Sequence, residues 1–259
     1  MVNRRAFLLG AAALPMAACS RASSDGGFGD GEGEGGFGDG GSGGGCRTPE
    51  ELASFTTIGG APIAYEISGV EQAWRADPRF TERLEAWAAD WATLAGLGPI
   101  RRITTYGAFV DKCDSWHAAG RAFDFAVVEH DGISVSCRYD VYGDDPDELR
   151  RYWRLSASLA KWFTYTLTYR YNEQHHNHIH IDNGVSGYDE TGFRERSRAQ
   201  VEVVQGVARH VFGLDAPESG SFDGATRDAV RQVQQSLGIS QPLRTVEGWR
   251  AFLDAATAG

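Results

Sequence analysis

Apolar side chains recur at helical spacing in two central segments of the chain. They stand three and four residues apart over residues 79–97, and the same spacing returns over residues 147–163. This period gathers the apolar side chains on one face of a helix, so each segment predicts an amphipathic helix packed on a core. The predicted core positions are Leu84, Trp87, Trp91, Leu94, Leu149, Trp153, Leu159 and Trp162.

Short β-prone segments lie around these two helices. Strands are predicted at residues 102–106, 121–128, 133–139, 164–171 and 178–182. Asp131-Gly132 is typical of a hairpin turn between the second and third of them. Because helices and strands are mixed without a regular βαβ repeat, the sequence predicts an α+β fold, with a small sheet and flanking helices.

The two ends of the chain differ from this main domain, which we place at residues 46–190. Residues 195–259 carry three apolar stripes at helical spacing and predict a small, separate three-helix domain. Residues 19–45 are mostly Gly, Ser and acidic residues, and cannot bury a core, so they predict a flexible, weakly acidic tether. Residues 1–18 are predicted to be a signal peptide.

The net charge of the chain narrows the classes of binding partner that we expect. The chain has 25 Lys and Arg against 35 Asp and Glu, a formal net charge of −10. Nucleic-acid binding needs a basic face, so nucleic acid is not an expected partner. The balance is compatible with a protein that works outside the cytoplasm.

The N-terminal residues carry two targeting patterns. Asn3 to Leu9 resembles a twin-arginine (Tat) export signal, and the apolar run to Ala18 is too short to span a bilayer. Met16 to Ser20 resembles a lipobox, which implies cleavage before Cys19 and lipid attachment to its sulfur. The alternative is a plain signal peptide with an incidental cysteine. We expect an extracytoplasmic lipoprotein of the cell envelope, anchored to the membrane through Cys19.

Three cysteines remain besides the one assigned to lipid: Cys46, Cys113 and Cys137. Export makes a disulfide permissible. Cys113 and Cys137 are the candidate pair, because they flank the segment of candidate metal ligands described next, and a bond between them would fasten that segment to the sheet. Cys46 is the alternative partner for either, and the sequence leaves the pairing open.

Histidine and aspartate residues carry the candidate chemistry. His117 and Asp124 are seven residues apart, and His178-Ile179-His180 follows later. One His, one Asp and one histidine of the late pair make a three-ligand zinc site, whose open fourth position suits catalysis. We expect one Zn²⁺ per chain. The alternative is an adventitious tract over residues 175–180, which would bind several metal ions weakly.

Strand geometry favours the zinc site. Residues two apart in an extended strand face the same side. His178, His180 and Asp182 therefore share one face, and the two isoleucines between them face the core. Small alanines flank Asp124 on its own face, which leaves room for a metal and a substrate. Gly120 permits a tight entry into that strand.

The segments Ser115–Asp124 and His178–Asp182 resemble the D-Ala-D-Ala metallopeptidase and hedgehog-type zinc fold, and within it the extensin-like C-terminal domain. The likeness extends over roughly residues 46–188. It implies the zinc ligands His117, Asp124 and His180, the general base His178 and a further active-site histidine, His175.

Supporting roles complete the predicted site. Asp182 is expected to orient a ligand histidine, and Ser115 to shape the loop. Many relatives carry an arginine shortly before the first zinc ligand, and residues 106–112 contain none. Arg101, Arg102 and Lys112 are the candidates to replace it, and the alternative is that this role is missing from the site.

The C-terminal domain adds an independent indication. Residues 224–239 resemble a three-helix peptidoglycan-binding domain. Together the resemblances imply an exported, lipid-anchored zinc metallopeptidase of DD-carboxypeptidase or endopeptidase type, which hydrolyses amide bonds in peptidoglycan stem peptides. The alternative is a non-catalytic, zinc-containing lipoprotein that binds the cell wall.

Overall fold

The computed structural model describes residues 46–111, 113, 115–184 and 187–259. The predicted signal peptide, Cys19, the predicted tether and Lys112 lie outside the described residues. Within the described part of the chain, no helix is both long enough and apolar enough to cross a membrane.

The described elements alternate between short strands and longer helices. In chain order they are β1 (Ala53–Phe55), β2 (Thr57–Ile58), β3 (Ala61–Tyr65), β4 (Trp74–Ala76), α1 (Pro78–Leu94), β5 (Arg102–Gly107), β6 (Ala122–His130), β7 (Ile133–Ser136), α2 (Tyr139–Tyr142), α3 (Pro146–Trp162), β8 (Tyr165–Leu167), β9 (Ile179–Asp182), α4 (Arg198–Gly206), α5 (Gly224–Leu237) and α6 (Val246–Ala258). A π-helical turn at Val207–Val211 extends α4. The mixture confirms the predicted α+β class.

Strand β6 is the centre of the main sheet, whose order is β2-β3-β5-β6-β9-β8. One edge of β6 pairs with β5; along the other edge, its first half pairs with β9 and its second half with β7. Strands β3 and β5 are parallel, and the other neighbours in this sheet are antiparallel. Strands β1 and β4 form a separate antiparallel ribbon. Neighbours on both edges explain the burial of β6.

Helices α1 and α3 cover one face of this sheet. The Trp87 ring of α1 packs edge-on against Phe125 of β6, with 4.9 Å between ring centroids. Its indole N–H donates to Ser158 Oγ of α3 at 2.9 Å. Each helix begins with an aspartate whose side chain accepts hydrogen bonds from free backbone N–H groups of the first turn: Asp77 caps α1 and Asp145 caps α3. A proline follows each cap, at a position where the helix needs no N–H donor. The opposite face of the sheet carries the candidate metal ligands.

The C-terminal helices pack on the far side of α3 and share its core. A single apolar cluster of the described residues includes Phe125 of the sheet, Trp153 of α3 and Phe252 of α6. Between them, Arg154 of α3 donates to Thr257 O of α6 at 3.0 Å. The three predicted helices are therefore present, and their apolar stripes face α3 as well as one another.

Gly206 is the closest point between α4 and α3. A Cβ atom at this position would lie 2.4 Å from ring atoms of Trp153, whose indole is fully buried. We expect Gly206→Ala to lower the free energy of unfolding by about 2 kcal/mol or more, because overpacking forces a rigid ring or a helix to move. Thermal unfolding followed by circular dichroism measures this. Gly224→Ala, where a Cβ meets nothing within 4 Å, is the control; equal melting temperatures for the two variants would contradict the packing.

Two predicted strands are shorter than expected. The strand predicted at residues 133–139 ends at Ser136, and the next residues turn into the short helix α2. The segment predicted at residues 164–171 is extended only at Tyr165–Leu167, and its remaining residues turn towards the loop that precedes β9. Strands β1 to β4 were not predicted.

The disulfide joins Cys46 to Cys113, with 5.1 Å between Cα atoms. The candidate pair Cys113 and Cys137 is therefore wrong, and the alternative partner is the correct one. Cys137 is a free thiol that is fully buried in the apolar core. Burial, together with the nearby Glu66 carboxylate, raises the pKa of this thiol. Cys137 belongs to the apolar cluster that also contains Trp153 of α3.

Candidate metal centre

The register between β6 and β9 places Asp124 directly opposite His180. Ile179 and Ile181, on either side of His180, are fully buried. His180 therefore projects from the other face of the sheet, where Asp124 also lies. Its Nδ1 is 2.9 Å from Asp124 Oδ1. The period-two alternation predicted from the sequence accounts for this meeting of the two side chains.

His117 lies on a tight loop that leads into β6. Ser115 Oγ accepts a hydrogen bond from His117 N at 3.2 Å, a contact within this loop. The loop ends at Gly120, whose φ is +67° and whose Cβ would lie 2.6 Å from Leu52 and 2.8 Å from Asp77 N. Only glycine fits both the conformation and the space.

A backbone carbonyl fixes the tautomer of His117. Its Nδ1 donates to the carbonyl oxygen of Ala108, because a carbonyl can only accept. The lone pair of the neutral ring is therefore on Nε2, which points towards Asp124 and His180. A histidine held in this way is ready to bind a metal through Nε2.

Three potential ligand atoms converge between these side chains. His117 Nε2 lies 3.2 Å from His180 Nδ1 and 3.3 Å from Asp124 Oδ1, and the third separation is 2.9 Å. Bonds of 2.0–2.1 Å around a tetrahedral zinc put neighbouring ligand atoms about 3.3 Å apart. The donor set of two imidazoles and one carboxylate also suits zinc. The residues present therefore fit a metal ion of this kind.

Asp182 stands behind His180. Its Oδ2 is 3.2 Å from His180 Nε2, and its Oδ1 accepts from Gly184 N at 2.8 Å. Only 4% of this residue is exposed. A carboxylate on the second nitrogen of a metal-binding histidine orients the ring and increases its basicity. Asp182 therefore lies within hydrogen-bond distance of the ring that it is expected to orient.

His178 faces the three ligand atoms from the end of β9. Its Nε2 is 3.6 Å from Asp124 Oδ1, and its Nδ1 donates to Asn177 Oδ1 at 2.6 Å. Burial lowers the pKa of His178 and outweighs the opposing effect of Asp124. At neutral pH the ring is therefore uncharged, with the lone pair of Nε2 directed towards the centre. This is the state that a general base requires.

His175 lies deeper in the same cluster. It is 3% exposed, and its Nδ1 donates to Asn172 Oδ1 at 2.7 Å. Its ring centroid is 5.1 Å from that of His178 and 5.9 Å from that of His180. Burial, reinforced by the neighbouring histidines, lowers its pKa to about 3. His175 thus forms an uncharged wall of the site.

The pKa values of Asp124 and His180 are shifted in opposite directions. Burial alone would raise the pKa of Asp124, but the charge and hydrogen bond that His117 supplies when its ring is protonated, and the hydrogen bond of His180, hold it well below its usual range. Burial alone would lower the pKa of His180, but hydrogen bonds to Asp124 and Asp182 raise it to about 10. Without a metal, His180 is therefore protonated at neutral pH between two carboxylates.

This proton makes metal binding dependent on pH. A metal on His180 Nδ1 must displace a proton whose pKa is about 10, so we expect zinc affinity to rise about tenfold per pH unit between pH 6 and 8. Calorimetry in buffers of different ionisation enthalpy would count about one proton released from this ring. Asp182→Asn should weaken the dependence, because it removes one of the two carboxylates. A zinc affinity that is constant over this range would contradict the assignment.

The two described arginine candidates are far from the centre. Arg102 pairs with Glu129, five residues along β6 from Asp124, which is about 17 Å at the rise of a strand. Arg101 Nε donates to Asp131 Oδ1 at 2.8 Å, farther still from the site. Both candidates are therefore wrong, because they lie at the N-terminal end of β5, whereas the C-terminal end of β5 pairs with Asp124.

A different cation lies near the site and was missed. The Arg138 guanidinium is 5.9 Å from the centroid of the Tyr106 ring, which in turn is 5.9 Å from that of His178. Arg138 is held by Glu66 at 2.9 Å and Asp140 at 2.8 Å. Tyr106 has a signal in the sequence, since it is the last residue of the strand predicted at residues 102–106 and that strand pairs with β6. Arg138 has no such signal in the sequence, because it comes near the site only through the turn that follows β7.

Comparison with known proteins gives a match over the segment that builds the centre. No curated protein and no solved structure matches the chain. A family model, described as extensin-like protein C-terminus, matches residues 100–189. The matched residues include the three metal-ligand candidates, His178 and His175, but not strands β1 to β4 or the C-terminal helices. The segment that builds the centre is therefore similar to the extensin-like protein C-terminus.

Proposed function

We propose that the protein is a zinc metallopeptidase that hydrolyses amide bonds in peptidoglycan stem peptides. One observation carries the proposal: the ligand atoms of His117, Asp124 and His180 converge within 2.9–3.3 Å, and the uncharged His178 faces them. A zinc ion held there would supply a Lewis acid for the substrate carbonyl. We assign the surrounding domain to the D-Ala-D-Ala metallopeptidase and hedgehog-type zinc fold.

In the proposed reaction, each side chain of the site has its own role. His178 Nε2 accepts a proton from the attacking water and returns it to the leaving amine. Asn177 keeps the other proton on Nδ1 and so fixes the tautomer that can act as a base. Asp182 orients His180, and His175 excludes solvent from the inner wall.

The substrate class and location rest on the sequence at the two ends of the chain. The pattern over residues 224–239, which forms α5 and its C-terminal cap, supports peptidoglycan as the partner of the C-terminal helices. The export signal and lipobox support an extracytoplasmic lipoprotein, with the membrane as its second partner through Cys19. In this arrangement the centre would work on the cell wall next to the membrane.

A non-catalytic protein that binds the wall is the second candidate. It is favoured by the position of the arginines: Arg101 and Arg102 are remote, and Arg138 is already paired with two carboxylates. In that case zinc would stabilise the loop of His117 or take part in ligand recognition.

Release of muropeptides from purified sacculi separates the two candidates. The full chain is incubated with sacculi after chelation and again after zinc is restored, and product masses identify the bond that is cut. We expect release only with zinc. One tightly bound zinc with retained sacculus binding and no release would replace the peptidase by the wall-binding protein. Release that persists after complete chelation would exclude a zinc-dependent peptidase.

A further inference from the structure

An open cleft lies where the sheet domain meets the C-terminal helices. Side chains of α1, the end of α3, α4 and α6 line it, together with residues 189–191. None of the residues of the metal centre lines the cleft. Its inner space is only ≈ 20 Å³, about the room for one water molecule, so a ligand would lie mostly in the open mouth of the cleft.

Two guanidinium groups gather around one indole in this cleft. Arg83 of α1 lies 5.9 Å and Arg250 of α6 lies 5.7 Å from the centroid of Trp162. The indole N–H donates to Asp90 Oδ2 at 3.0 Å, which fixes the ring. Residues far apart in sequence thus place two cations beside an apolar surface, in a protein whose net charge is −10.

The charge of these cations is only partly compensated. Lys161, also in the lining, is held between Asp90 at 2.9 Å and Asp254 at 2.5 Å. Arg250 has only Glu190 at 3.1 Å among its ion pairs in the described residues, and that side chain is 50% exposed. Burial lowers the pKa of Arg83, and Arg250 lowers it further against the effect of Glu190. A second anion would relieve this repulsion.

A buried amide supplies the independent observation. Asn183 lines the cleft and is 1% exposed. Its Oδ1 accepts from Thr164 N at 2.9 Å and from Thr164 Oγ1 at 3.3 Å. Its Nδ2 makes no hydrogen bond in the described part of the chain. A buried donor without a partner is costly, so a site that offers one is suited to a ligand acceptor.

We propose that this cleft binds a ligand that carries a carboxylate next to a neutral oxygen acceptor. Arg83 and Arg250 take the carboxylate in place of Glu190, and Asn183 Nδ2 donates to the neutral oxygen, which is a carbonyl in a peptide and a ring or hydroxyl oxygen in a sugar. The Trp162 ring packs against the apolar part of the ligand. A peptide C-terminus and an acidic sugar both offer a carboxylate of this kind.

Binding to the purified full chain tests this, with N-acetylalanine, its C-terminal amide and glucuronate as probes, each titrated by calorimetry in the millimolar range. We expect the acid to bind at least about tenfold more tightly than the amide, because a charge-assisted hydrogen bond is lost in the amide. Binding of N-acetylalanine identifies a peptide source and binding of glucuronate alone identifies an acidic sugar. Failure of both acids to bind overturns the proposal.

Variants locate the binding. Arg250→Gln should weaken the acid at least about tenfold. Glu190→Gln should tighten it, because it removes the competing carboxylate, and a misfolded variant would not gain affinity. Arg231→Gln, which removes the same charge from a residue outside the cleft, should have no effect. Equal binding of acid and amide, or wild-type affinity in both Arg250→Gln and Glu190→Gln, would show that the carboxylate is not bound here.

Discussion

Replacing His178 with alanine is expected to leave one zinc ion per chain and to lower hydrolysis of stem peptides by about 10²–10⁴-fold, the contribution of a general base. The loss is confined to the proton transfer, because the ligand atoms of His117, Asp124 and His180 do not depend on the His178 ring for their positions. Zinc content and the rate of muropeptide release, measured on the same preparation, give the two halves of this result.

Two further readouts separate a base from a side chain that only supports the site. Added imidazole should restore part of the activity of His178→Ala, and the acidic limb of the pH–rate profile should change. His176→Ala is the matched control, since this neighbouring ring packs against Tyr139 at 5.5 Å between centroids. Full activity in His178→Ala, or loss of its zinc, would show that the base has been misassigned.

Replacing His180 with alanine is expected to abolish both zinc binding and hydrolysis. The change removes one of three ligands, and it leaves the buried Asp182 carboxylate without its imidazole partner at 3.2 Å. Removal of a mere supporting residue weakens metal binding by about 10–100-fold, so loss of a ligand should exceed 100-fold. Metal analysis after dialysis, with zinc titrated against a competing chelator, measures the change.

Comparing the zinc content of His180→Ala with that of His176→Ala also decides between one defined three-ligand site and a histidine tract that binds several ions weakly. Both histidines belong to the run over residues 175–180, but only His180 converges with His117 and Asp124. A defined three-ligand site predicts one tightly bound zinc ion in His176→Ala and none in His180→Ala. If both variants instead lost similar fractions of several weakly bound ions, the tract would explain the metal binding.

Much of the fold around the centre could be predicted because its signals are local. The apolar spacing around Trp87 and Trp153 fixes two helices, and the alternation around His180 fixes which side chains share a face. Asp124 and His180 both lie on strands whose other faces are apolar, which places them on the same side of the sheet. Residue type and a period of two thus favour a metal site on this face, whereas the choice of His117, Asp124 and His180 as its ligands rests on the family resemblance.

The features that sequence reasoning missed depend on register and on distant pairing. Strand β3 contains Pro62 and pairs in parallel with β5, which lies beyond α1, so no local pattern shows it. Arg138 lies near the site and Arg102 does not, because strand direction decides which end of β5 meets Asp124. The partner of Cys113 is 67 residues away, a choice that spacing alone leaves open.

The connection of Cys46 to Cys113 has a mechanical consequence. Arg47 N also donates to Ala118 O at 3.0 Å, so the first described residues are fastened twice to the loop that carries His117. A force that reaches Cys46 from the N-terminal side divides there, and one part enters this loop through the disulfide before it reaches the sheet. With the proposed anchor at Cys19, part of any tension from the membrane side would therefore reach the loop that carries His117 without first passing through the sheet.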